Sequence, residues 1–83
     1  MTRPYVPIDC EFHDVLEATA VRRRVAVIHH LDDDGRTRVL EGRIADLYAA
    51  GAVEYMRLDD GNVIRLDRIV SIDGERLDAY QRR

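Results

Sequence analysis

Asp34-Gly35, Asp60-Gly61 and Asp73-Gly74 punctuate the last two thirds of this chain, and they restrict its fold more than any other feature. Asp-Gly between two apolar, alternating runs is a strong hairpin signal, because both residues tolerate the backbone angles that a tight reversal needs. The runs between these turns read as strands. Residues 25–31 alternate Val25, Val27, His29 and Leu31 against Ala26, Ile28 and His30, a β-branched pattern with at least one buried face. Residues 37–47 continue as a second strand, in which Gly42 predicts a bulge or sharp bend. Residues 53–58 form a third strand. Residues 63–72 form a fourth, with Ile64, Leu66, Val70 and Ile72 on one parity, and residues 76–80 a short last one.

Ahead of these strands lies a helix with a one-signed face. Asp9 is the expected N-cap, since its short carboxylate can accept from the free amides of the first turn, and Pro7 keeps the preceding chain extended. At about 100° per residue, Phe12, Val15, Leu16 and Ala20 gather on one side of residues 9–21. Glu11, Asp14 and Glu17 gather on the other, and no Lys or Arg lies between Pro4 and Val21. Docked by its apolar side, such a helix presents a row of carboxylates to solvent, which suits a basic partner better than it suits catalysis. One helix followed by four or five bent strands predicts an α+β, mostly β domain. Its expected form is a small, strongly bent five-stranded antiparallel barrel spanning residues 1–83, since closing the sheet limits its exposed edges.

Size and charge narrow the function classes. A chain of 83 residues buries only about 60–65% of its unfolded surface, which leaves little material for a deep cleft. A charge of −3 with 35% charged and 46% apolar residues describes a folded domain rather than a disordered tail. Mild acidity argues against general nucleic-acid binding, which leans on an excess of cations. A single cysteine excludes an intrachain disulfide, and no apolar run reaches the ~20 residues of a membrane span. The expectation is a cytoplasmic monomer with no cofactor and no membrane contact.

Other side chains have their own chemistry to weigh. His29 and His30 are adjacent on a strand and point to opposite faces, so they cannot share one metal ion without distortion. Cys10 at a helix start, with His13 three residues on, resembles part of a nucleophilic pair. No third orienting group or oxyanion-hole motif accompanies them, and a small core cysteine is the expectation. Arg22 to Arg24, entering a strand, would split between faces, without a ladder of stacking aromatics. Phe12, Tyr5, Tyr48 and Tyr55 are expected in the core or at its rim.

Two stretches then point to a family. YVPIDCEFHDVLEA resembles the opening signature of the Rho-binding antiterminator (Rof) family, where a Tyr-x-Pro-Ile-x-Cys element leads into an acidic helix. VEYMRLDDGNVIRLDRIVSID resembles the family's closing hairpin, with its Arg-Leu-Asp-x-Ile segment. Asp34-Gly35 and Asp46-Leu47 stand where family members have their first hairpin and bent second strand. His13 departs from the family's usual aromatic or apolar residue, and the Asp59–Gly61 turn is shorter than in some relatives. The resemblance implies a helix followed by an Sm-like barrel. It also implies a non-enzymatic protein that binds the hexameric termination factor Rho and hinders RNA loading at its primary site. The implied partner-binding residues are Glu11, Asp14 and Glu17, with Asp9 at the cap. The alternative is an Sm-like module that binds RNA or another protein directly. An RNA binder should carry a basic or aromatic patch, an enzyme a convergent polar constellation, and an inhibitor of this kind an exposed acidic face.

Overall fold

Asp9 ends the extended N-terminal segment and caps α1 (Cys10–Arg22) in a computed structural model of the chain, which describes residues 4–80. Its carboxylate accepts from the Glu11 amide at 2.8 Å, satisfying one of the donors that a helix start leaves open. At the far end Arg23 takes a left-handed conformation, with φ 54°, and its amide donates back to the Ala20 carbonyl. Phe12 and Leu16 are fully buried, and Val15 and Ala20 pack partly against the same cluster. This is the apolar stripe expected from the spacing.

Seven short strands follow: β1 (Ala26–Leu31), β2 (Thr37–Gly42), β3 (Ile44–Ala50), β4 (Val53–Leu58), β5 (Val63–Arg65), β6 (Ile69–Ile72) and β7 (Glu75–Arg76). They form two antiparallel sheets, in the orders β2-β1-β6-β7 and β3-β4-β5. The hairpins fall where the Asp-Gly pairs predict. In the first, the Asp32 side chain accepts from the amides of Asp34 and Arg36, each at 2.9 Å, and Gly35 supplies a φ of 81°.

Three long-range features alter the expected strands. Residues 37–47 are not one strand: the chain breaks at Arg43, beside Gly42, and β3 passes into the other sheet, with a register shift against β4 between Ile44 and Asp46. Residues 63–72 are likewise divided by a 3-10 turn, Leu66–Arg68, so that β5 and β6 belong to different sheets. After that turn the inward positions become Ile69 and Ser71, with Ile72 buried as well. Ile64, Leu66, Ile69 and Ile72 are buried, and Val70 is not. The expected strand at residues 76–80 is instead the two-residue β7 followed by a helical turn, α2 (Leu77–Tyr80). Leu77 and Tyr80, three apart, both pack on the core, and the Tyr80 ring lies 5.5 Å from that of Phe12. A strand would have sent residues three apart to opposite faces.

The buried residues form one cluster fed by both sheets and α1. Phe12 and Leu16 come from the helix, Ile28, Ile69 and Ile72 from the first sheet, and Ile44, Met56, Leu58 and Ile64 from the second. Among the described residues, no helix is long and apolar enough to cross a membrane.

Candidate partner-binding surface

The segment before α1 and the β4–β5 hairpin lie against each other. Tyr5 donates its hydroxyl to Glu54 Oε1 at 3.0 Å, and its ring lies 5.8 Å from the Arg65 guanidinium carbon, within cation–π range. The Val6 amide donates to Asp67 Oδ2 at 2.9 Å. Arg65 in turn holds Asp67 through two parallel bonds, Nε to Oδ1 at 2.6 Å and Nη2 to Oδ2 at 2.9 Å. Only 11% and 9% of these two side chains is exposed, so the pair is a shielded, bidentate one, the strong form of such contacts. Burial, and then the bond to Glu54, push the Tyr5 phenol well above its ordinary value. The segment before α1 is thus strapped across β4 and β5, and the strap fixes where the helix begins.

Glu54 continues the attachment. Its other oxygen, Oε2, lies 3.4 Å from His13 Nε2, while His13 Nδ1 faces Glu17 Oε2 at 3.5 Å. His13 therefore sits between a carboxylate of its own helix and one of the neighbouring sheet. With Phe12 and Leu16 buried beneath, these contacts set the rotation of α1 about its axis. The side left outward carries Glu11, Asp14 and Glu17, all exposed. At 1.5 Å per residue they span about 9 Å along the helix, with Asp14 at the centre. A shallow groove beside them is lined by Ile8, Cys10, His13, Asp14 and Glu54. Carboxylates arrayed in this way can accept charge-assisted bonds from several guanidinium or ammonium groups at once.

Of the four residues implied as partner-binding, three share this outward face. Asp9 is placed differently: it is half-buried at the helix start, and one of its oxygens already accepts from the Glu11 amide. Glu54, from β4, is the acid that sequence reasoning missed. The signal was its parity, since it shares the inward alternation of Met56 and Leu58, where an acid needs a polar partner.

Cys10 is exposed at the first helical position rather than in the core, because the apolar stripe begins two residues later at Phe12. His29 turns its Nδ1 toward Ser71 Oγ at 3.3 Å, across the β1–β6 ladder. Among the described residues, no group of three His, Cys, Asp or Glu side chains is arranged to hold a metal ion. Arg22, Arg23 and Arg24 precede β1 instead of entering it: they are the last helical residue, the cap and a connecting residue, and all three are exposed. Tyr48 and Tyr55 stack across β3 and β4, ring centres 5.4 Å apart. No protein-family model, no curated protein and no solved structure matches this chain.

Proposed function

We propose that this protein is a non-enzymatic inhibitor of Rho-dependent transcription termination, as its resemblance to the Rho-binding antiterminators implies. The acidic side of α1 would dock on the Rho hexamer and keep RNA from its primary binding surface. The observation that carries this reading is the outward carboxylate row, Glu11, Asp14 and Glu17, on a helix whose opposite side is buried in the core. The mechanism is competition: carboxylates take up the cationic groups that otherwise hold RNA phosphates. The sheet order also supports the Sm-like barrel in this reading. β2 and β3 lie on either side of one bend and belong to different sheets, and β6 returns to pair with β1.

The energetics single out the central acid. An exposed ion pair contributes only ~0.2–1 kcal/mol, whereas truncating one partner of a desolvated pair costs ~2–5 kcal/mol. Asp14, flanked on both sides, is the acid most shielded from water once a partner docks. Asp14→Arg removes an attraction and adds a repulsion, so Rho binding should fall at least tenfold, about 1.4 kcal/mol. The fold should hold, because exposed positions usually change stability by no more than about 0.5 kcal/mol. The test is readthrough at a Rho-dependent terminator in vitro, with the folded state checked by circular dichroism. Folded Asp14→Arg protein that suppresses termination as well as the wild type would sink the assignment of the acidic helix.

A further inference from the structure

The helix that carries the carboxylate row ends in three arginines whose guanidinium groups have no partner among the described residues. Arg22, Arg23 and Arg24 are exposed, and among the described residues no ion pair or side-chain hydrogen bond engages their guanidinium groups. Arg36 and Arg57 share that state singly, whereas Arg38, Arg65, Arg68 and Arg76 are each paired with an aspartate. Arg43 adds a fourth cation, since its Nε donates to the Arg23 carbonyl at 2.9 Å and fixes it beside the helix end. The nearest acids are Asp59, Asp73 and Glu75, the last two in one groove with Arg22 and Arg24, so four cations face three carboxylates here. Asp59 lies 3.9 Å from Arg43, Asp73 accepts from the Val27 amide, and Glu75 accepts from the Tyr80 hydroxyl.

A helix C-terminus favours one cation through its dipole, which accounts for Arg22. It reaches Arg23 at the cap as well, and does not account for Arg24 beyond it. Arg23 sits at φ 54°, the left-handed cap position where glycine is the usual occupant, so the middle cation of the run stands at a backbone position that disfavours a side chain. The chain's acidity as a whole therefore hides a segregation. The carboxylates occupy the first part of α1 and the arginines its end, about 12 Å farther along the axis from Asp14 to Arg22.

We propose that this arginine end is a contact surface for the phosphate backbone of single-stranded RNA. The choice of RNA among anionic polymers rests on the function proposed above: a protein seated at the RNA surface of Rho has the displaced strand beside it. Guanidinium groups bind phosphate bidentately. The Tyr80 ring, in the groove beside Arg22 and Arg24, lies 5.5 Å from Phe12 and bonds Glu75 through its hydroxyl. The contact is with the backbone and independent of sequence.

The test is a titration of a fluorescent oligocytidine with the isolated protein, monitored by anisotropy from low to physiological salt. Saturable binding at low salt is expected. Log K should fall with log salt at a slope of about −2 to −3, since three or four arginines are in reach and each phosphate neutralised on a single strand contributes about −0.7. The triple variant Arg22→Glu/Arg23→Glu/Arg24→Glu should lose at least tenfold in affinity. Arg23→Gly, which suits the left-handed cap and keeps the fold, should lose about twofold or more and flatten the slope. Asp14→Arg should bind RNA as well as the wild type or better. Absence of RNA binding at low salt, or full binding by folded arginine variants, overturns the proposal. Equal affinity for phosphatidylserine vesicles or for polyglutamate overturns the assignment to RNA. The titration contains no Rho. Failure here with Rho binding intact therefore condemns the arginine surface alone, and loss of Rho binding with RNA binding intact does not touch it.

Discussion

Tyr5 shows how one side chain can couple two distant parts of the sequence. Its hydroxyl reaches Glu54 and its ring covers Arg65, so the start of the chain is held by residues far along it. Tyr5→Phe keeps the ring and removes the bond, which should cost about 1 kcal/mol at neutral pH. The pH dependence follows from the direction of the shift. Burial and the Glu54 carboxylate raise the folded phenol above its usual value of about 10, so folding favours the neutral form. That stabilisation is whole below the unfolded value and is lost as pH rises through the folded one. Tyr80, raised first by its bond to Glu75, acts in the same sense. Urea unfolding at pH 8 and at pH 10.5 should therefore show a smaller alkaline loss for Tyr5→Phe than for the wild type, with a remainder due to Tyr80. An equal loss in both proteins would mean that Tyr5 is not shielded as described.

At the scale of elements, α1 was the most legible part of the chain, because its signals are local. The Asp9 cap, the spacing of Phe12, Val15, Leu16 and Ala20, and the one-signed opposite face all follow from a period of 3.6 residues. The breaks among the strands were not legible. Leu66–Arg68 leaves the strand where Asp67 is claimed by Arg65 and by the Val6 amide, a partner 61 positions away. The turn at Leu77–Tyr80 depends on Phe12, at the other end of the chain. The candidate surface divides in the same way. Glu11, Asp14 and Glu17 could be read from helical spacing, but Glu54 joins them only because β4 lies beside α1. The docking of the helix can be tested by contrast along its length. Leu16 is fully buried, and its truncation to Ala should cost ~2–5 kcal/mol, a large share of a small domain's total of ~5–15 kcal/mol. Val21 is 80% exposed on the same helix, and Val21→Ala should stay within about 0.5 kcal/mol. Melting temperatures that respond equally to both substitutions would mean that α1 is not seated on the core by this face.

For the molecule as a whole, stability and proposed recognition draw on different forces, and salt separates them. The fold rests on one apolar cluster shared by both sheets and α1. Most of its ion pairs are exposed, as at Arg38–Asp32, Arg43–Asp59 and Arg76–Asp78, and such pairs add little. The shielded Arg65–Asp67 pair is screened far less than these. Raising salt from about 0.05 to about 0.5 M shortens the screening length from over 10 Å to about 4 Å. That change should move the melting temperature only slightly. The proposed association with Rho through an outward carboxylate row is a different case, because attraction between separated charges steers an encounter and weakens steeply with ionic strength. Binding of the wild-type protein to Rho should therefore fall at least tenfold over this range, mainly through a slower association rate. Asp14→Arg should show a shallower salt dependence, having fewer attractive charges left to screen. Surface plasmon resonance across the salt series, with a melting curve at each concentration, measures both quantities on the same protein. A Rho affinity that stays constant while the protein remains folded would mean that the contact is made by apolar surface, and the acidic side of α1 would no longer explain it.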